Sequence, residues 1–216
     1  METVFASFPT YVSGFLVTLQ LTVWSGVIAL ALGLVVAALR VAPLRPLRLL
    51  AAVYVELFRN MPLTLIFFFE VFVLPQFGVI PPLGFWTAVL CLSTYTSAFV
   101  AEAMRSGINS VGVGQAEAAR AIGLTFGQTL GQIVLPQAVR TVVPPLINVL
   151  IALAKNTSVA AGFAVVELTA TGRRLSQPNP ADTVWILAGI AVFYLLLTIP
   201  MGLIAGAVER KVAFSR

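Results

Sequence analysis

Residues 117–136 read EAARAIGLTFGQTLGQIVLP, from Glu117 to Pro136, a polar, small-residue stretch set between two strongly apolar ones. Alanines keep its first helix slim, and Gly123 permits a turn that a residue with a Cβ resists. A second short helix closes on Ile133, Leu135 and Pro136. Pro136 cannot continue the helix before it regularly, but it can open the next one as a first-turn residue. Glu117, near the start of its helix, is favoured by the helix dipole and stays available to a basic partner. A compact, charged pair of helices between apolar segments predicts a docking site for another protein. The plainer reading is a solvated helical hairpin with an i,i+3 pair of Glu117 and Arg120.

Working outward, composition sets the class. The 216 residues are 59% hydrophobic and only 10% charged, with mean hydropathy +1.00. Soluble domains carry about 25% charged residues, so the chain is an integral membrane protein. Its single cysteine, Cys91, lies in an apolar run and excludes an internal disulfide framework. Histidine is absent, which removes the commonest metal ligand and general base. The net charge of +5 could suggest nucleic acid, but the basic residues sit at the ends of apolar segments, where membrane orientation explains them better.

A spanning helix needs about 20 predominantly apolar residues. Five stretches qualify, at roughly 15–39, 49–75, 83–104, 141–165 and 183–208. The second is interrupted by Pro62 and by Glu56 and Arg59, which can pair on one helix face; the third ends at Glu102 and Arg105. A cleavable signal peptide is the other reading of the first stretch. Residues 1–14 lack its basic region, and the apolar run that follows is too long. Arg40, Arg45, Arg48, Arg105, Arg120, Arg140, Arg210, Lys211 and Arg216 fall on one side, against Arg173 and Arg174 on the other. The excess of positive charge on the inner side predicts an outer N-terminus, a cytoplasmic C-terminus and a cytoplasmic docking segment. The outer connections are Gln76–Pro82 and Glu167–Asp182. No second domain, low-complexity tract or convincing repeat is visible, so 1–216 is expected to form one transmembrane domain.

The spacing E-A-A-x3-G-x9-I-x-L-P, met at Glu117, Ala118, Ala119, Gly123, Ile133, Leu135 and Pro136, resembles the signature loop of the membrane permeases of ATP-binding-cassette importers. The likeness extends over nearly the whole chain and narrows to permeases for polar amino acids. Leu39-Arg40 with Pro43-Leu-Arg resembles their first cytoplasmic loop. Glu56-Leu-Phe-Arg-Asn-Met-Pro-Leu resembles their R-G-T-P-L element, with Asn60 and Met61 replacing small residues. Gly112-Val113 stands where Pro-Lys is commoner, and Lys155-Asn-Thr-Ser carries Asn156 where many relatives have Asp. Arg105-Ser-Gly-Ile-Asn, Ile151-Ala-Leu-Ala-Lys-Asn-Thr and Leu197-Thr-Ile-Pro-Met-Gly-Leu look most like actinobacterial glutamate-uptake permeases. Another polar or basic amino acid (glutamine, arginine or histidine) remains the alternative substrate.

The resemblance implies an all-α membrane protein: the five-transmembrane-helix core of a type I importer permease, multi-pass in a bacterial cytoplasmic membrane. It places coupling helices within 107–136, between spans three and four. There Glu117, Ala118, Ala119, Gly123, Leu124, Ile133, Leu135 and Pro136 would meet an ATPase subunit. It also implies a dimer of such ATPases, a second permease subunit that is a paralogue rather than an identical copy, and an extracytoplasmic substrate-binding protein. Surrounding lipid and an amino acid substrate complete the partners; nucleic acid is not among them. Neither lysine of this chain sits in G-x-x-x-x-G-K-[ST]. No cofactor is therefore expected here, and ATP and Mg would belong to the partner ATPases.

Ionisable groups at bilayer depth are functional suspects, because each costs about 2.5–3.5 kcal/mol on insertion scales. Lys155 could meet a substrate carboxylate, or pair with Glu102 or Glu70, or snorkel. Glu70 could meet an ammonium group or be a hydrogen-bonded structural carboxyl. Asn156, Thr157 and Ser158 could line a polar cavity or cap a break in the helix. Glu102 with Arg105, like Glu56 with Arg59, reads as a structural pair. Phe67-Phe-Phe reads as packing. The charges of 167–182 are candidates for the binding-protein contact or for a solvated loop.

Two other classes compete. An intramembrane enzyme needs a convergent nucleophile and base or a metal centre, which a chain without histidine or paired carboxylates does not offer. A self-sufficient secondary transporter is expected to show repeats and paired discontinuous helices, and has no use for the docking spacing.

Overall fold

The computed structural model describes residues 5–79 and 83–213, and every element among them is helical. Residues 1–4, the end of the Gln76–Pro82 connection and Arg216 lie outside them. Helix α1 runs Phe8–Arg40 with Pro9 in its first turn and Arg40 in its last. Its 33 residues make a rod of ~50 Å, longer than the ~30 Å apolar slab of a bilayer. It starts seven residues before the expected position 15. Helix α2, Arg45–Asn60, stops at Met61 because Pro62 forbids helical backbone before it.

The second expected span is therefore not straight. Helix α3, Leu63–Phe68, continues through a π turn, Phe69–Val73, and a 3-10 turn, Leu74–Phe77. This run leaves α2 at an angle of 107°. Among the described residues four helices are long and apolar enough to cross a membrane, or up to five crossings if the bent pair makes one.

Helix α4, Phe85–Asn109, is the most buried of the four. Helix α5 is Val113–Ala121. A helical turn at Phe126–Gln128 and a π segment at Thr129–Val134 lead without a break into α6, Leu135–Asn156. Pro136 takes a first-turn position there, as its missing N–H allows, so the fourth expected span starts six residues before 141. It ends early as well: the 3-10 segment Thr157–Gly162 is followed by Ala164 in a left-handed conformation, φ 62°. Helix α7, Leu168–Ser176, occupies the expected outer loop, and α8, Thr183–Ala213, closes the bundle.

The main contact joins α1 to α4. Buried Gly14, Thr18, Thr22, Gly26, Gly33 and Ala37 on α1 recur mostly at four-residue spacing. Small residues at that spacing let two backbones approach, which is how helices associate where lipid is as apolar as their side chains. A Cβ on Gly33 would run into Val100, and one on Gly14 into Thr171 of α7. The core proper lies among Leu21, Ile66, Phe67, Leu92, Leu153 and Phe163. Phe163 meets Phe67 and Phe68 at ring distances of 4.8 and 5.3 Å, so that part of the aromatic run packs on a neighbouring segment. On α1 and α8 the exposed positions between the ends are apolar apart from Ser13 and Gln20, many of them bulky, among them Val23, Val27, Val35, Leu187, Leu195 and Leu203.

Candidate functional site

At one end of the bundle α5 ends on Gly123, whose φ is 91°. The Gly123 N–H donates to Arg120 O at 3.0 Å and the Leu124 N–H to Ala119 O at 3.1 Å, the paired bonds that finish a helix on a left-handed residue. Thr125 then starts the next turn as one half of a capping box. Its hydroxyl accepts from the Gln128 N–H at 3.3 Å, and Gln128 Oε1 accepts from the Thr125 N–H at 2.9 Å. The break expected at Gly123 is thus held from both sides by local hydrogen bonds.

Of the eight expected docking residues, Glu117, Ala118, Gly123, Leu135 and Pro136 are exposed, and Leu124 and Ile133 are half-buried. Ala119 instead faces inward at 5% exposure, where a larger side chain would push α5 off the π segment it packs against. Glu117 lies in the second turn of α5 rather than at its start, beyond the first turn where the helix dipole acts. It makes no ion pair with Arg120 among the described residues. Ile122 and Phe126, not singled out from sequence, are 81% and 70% exposed. Beneath the segment an apolar groove of about 630 Å³ runs between Phe126 and Leu130 on one wall and Ala37, Ile108 and Val142 on the other.

The same end of the bundle carries a charge cluster. Glu102 accepts from Arg105 and from Arg40, each at 2.5 Å, and Arg59 approaches it at 3.5 Å. The i,i+3 pair of Glu102 and Arg105 forms as expected, but Glu56 does not pair with Arg59. Glu56 accepts from the Asn60 side chain at 3.2 Å, and Arg59 crosses to α4, because a partly buried carboxylate there offers more than a solvated neighbour. One carboxylate therefore ties α1, α2 and α4 together.

The suspects at bilayer depth are dispersed rather than convergent. Glu70 is buried in the π turn and accepts from Cys91 Sγ at 3.0 Å and Thr94 Oγ1 at 3.3 Å. Thr157 and Ser158 turn back on their own helix, donating to Ala154 O at 2.7 Å and Lys155 O at 2.8 Å; they close the helix break, the second of the two sequence readings. Asn156 is half-buried. Lys155 is exposed and pairs with neither Glu102 nor Glu70 among the described residues.

The segment expected to lie outside departs most from expectation. Glu167 is fully buried and caps α7, accepting from the N–H groups of Thr169 and Ala170 at 2.9 and 2.8 Å and from Tyr194 Oη at 2.8 Å. Burial pushes its carboxyl above the usual carboxylate range, and those three donors oppose the shift. It is neither a solvated loop residue nor open to a partner. Arg173 donates to Ala161 O at 2.6 Å, closing the 3-10 segment. Arg174 remains exposed.

Comparison with known proteins places this geometry. Residues 29–214 match the family model described as the inner membrane component of binding-protein-dependent transport systems. Over 234 aligned positions the chain is 41% identical to a glutamate transport system permease protein, GluC, of Corynebacterium efficiens, covering 100% of both chains. It is 40% identical to a probable glutamine ABC transporter permease protein, GlnM, of Bacillus subtilis, covering 96% of this chain and 95% of that one. The crystal structure of an amino acid ABC transporter with histidines superposes with a TM-score of 0.91 at 28% identity, covering 97% of each chain. An inward-facing methionine ABC transporter shares the fold at a TM-score of 0.77 and 20% identity, over 96% of this chain and 98% of that one.

Proposed function

Because the chain belongs to the family of binding-protein-dependent transport system inner membrane components, we propose that it is the permease subunit of an ATP-binding-cassette importer for a polar amino acid, and that the amino acid is glutamate. The observation that carries the reading is the exposed segment from α5 to α6, finished at Gly123 and presented beside the basic end of the bundle. Its free apolar residues, Ile122 and Phe126, suit a cleft on another protein. The full-length likeness to a glutamate permease supports the substrate. The 40% identity to a glutamine permease favours glutamine as the second reading.

In this reading the bent pair α2–α3 is the fifth crossing, the N-terminus lies outside and the docking end faces the cytoplasm, where Arg40, Arg59, Arg105 and Arg140 obey the positive-inside bias. A dimer of separate ATPases binds the segment and carries ATP and Mg. A paralogous permease completes the path, and an extracytoplasmic binding protein delivers substrate. ATP-driven closure moves the permease only if the ATPases hold its inward and outward states with different affinity. Lys155, alone and exposed on a spanning helix, meets the substrate carboxylate.

Two variants at one position test the coupling. Gly123→Ala and Gly123→Trp both force a side chain into a left-handed backbone, and a Cβ at Gly123 has nothing of this chain within 4 Å. Because Gly123 is exposed, the difference between Trp and Ala reads the space in front of the segment, where a partner would dock. The expected result is that Gly123→Trp loses co-purification with the ATPase and substrate-stimulated ATP hydrolysis, while Gly123→Ala keeps more of both. A Trp variant that assembles and responds like the Ala variant removes the segment from the coupling route. Glutamate and glutamine, compared as stimulants of the reconstituted wild-type complex, decide between the two substrates.

A further inference from the structure

One face of α6 is unlike the exposed faces of α1 and α8. Between positions 140 and 156 its exposed residues are Arg140, Pro145, Asn148, Ala152 and Lys155, and no large apolar residue is exposed there. At 100° per residue, Thr141, Pro145, Asn148, Ala152 and Lys155 fall within a sector about 80° wide. Neither Asn148 nor Lys155 has a side-chain partner among the described residues. Pro144 and Pro145 lie inside the helix and lack N–H groups, so the carbonyls of Arg140 and Thr141 lose their regular partners. A face with an unpaired amide, an unpaired ammonium and freed carbonyls is not one that lipid covers. Water or polar groups must lie against it.

We propose that Asn148 is a second substrate-contacting residue, one station further along α6 from Lys155, and that the ligand it takes is a zwitterionic amino acid. The inference rests on the permease reading above and extends it. Lysine offers donors only, whereas the Asn148 amide offers two N–H donors and an acceptor. Lys155 therefore handles a carboxylate, and the amide oxygen of Asn148 can also receive an ammonium group. The two side chains sit seven residues apart, about 10.5 Å along the axis, and act as successive stations. Ala152 between them keeps the track unobstructed.

The sole cysteine, Cys91, is fully buried, so a cysteine placed on the surface is the one accessible thiol of this chain, read on its own band after labelling. Asn148→Cys and a lipid-face control, Leu195→Cys, are assembled with the ATPase, reconstituted in proteoliposomes and treated with a charged, membrane-impermeant methanethiosulfonate. The thiol at 148 is expected to react, and saturating L-glutamate or L-glutamine to abolish the reaction; the control is expected to stay unmodified. Asn148→Leu is expected to raise the half-saturating concentration for uptake about tenfold, the effect of one hydrogen bond to a charged group. A thiol at 148 that reacts only with a lipid-soluble maleimide, or that neither amino acid protects, overturns the proposal. Failure of the wild-type chain to co-purify with an ATPase sinks the permease reading instead.

Discussion

Removing the carboxylate at Glu102 tests whether the charge cluster is a structural tie. Arg40 and Glu102 are 13% and 20% exposed and 2.5 Å apart; Arg105 is equally close but 38% exposed, and Arg59 is 3.5 Å away and 36% exposed. Stripping one partner from a fully buried ion pair costs about 3–5 kcal/mol, whereas exposed pairs contribute about 0–1 kcal/mol. Glu102 lies between these limits at the end of the bundle, so Glu102→Ala is expected to cost about 2–3 kcal/mol, in the range for losing hydrogen bonds to a charged group. For a chain of this size that lowers Tm by roughly 4–12 °C. Partner truncations should rank by burial and distance, Arg40→Ala above Arg105→Ala above Arg59→Ala. Tryptophan fluorescence during a thermal ramp of the detergent-purified chain reads all four. A Glu102→Ala shift below about 2 °C, or an Arg59 effect larger than that of Arg40, would refute the reasoning.

Three other outcomes are expected. Gly33→Ala, whose Cβ meets Val100, should destabilise by about 1–3 kcal/mol, while Gly202→Ala, which meets nothing, should not; the same thermal ramp compares them. Thr125→Ala should remove about 1 kcal/mol by deleting half of the capping box, and show as faster proteolysis between α5 and α6. Lys155→Met should lose substrate uptake in proteoliposomes while the complex still assembles, and unchanged uptake would retire its carboxylate role.

Much of this was legible in the sequence, and the failures have physical causes. The break at Gly123 and the helix start at Pro136 follow from backbone preference, and local preference decides them. Thr125-x-x-Gln128 is an equally plain capping signal. The packing face of α1 was also readable, because Gly14, Thr18, Thr22, Gly26 and Gly33 carry the small-residue period, although the period does not say that Gly33 meets α4, Gly26 α6 and Gly14 α7. What could not be read was the destination of charged side chains. Spacing on one helix points Arg59 at Glu56, and only the fold brings Glu102 within reach. Glu167 reads from sequence as exposed, to a binding protein or to solvent, because nothing local shows that its segment is covered. Pro62 marked an interruption, but its 107° consequence depends on what the following residues pack against.

The run from Phe126 to Gly162 is continuous over 37 residues, a strut of about 55 Å with α5 hinged at its foot by Gly123. A load applied at the foot is carried along the axis to the far rim without crossing a loop. Pro144 and Pro145 sit midway, where the backbone ladder lacks two rungs, so bending concentrates there. The strut is therefore compliant just ahead of Asn148, between an irregular π foot and a 3-10 far end.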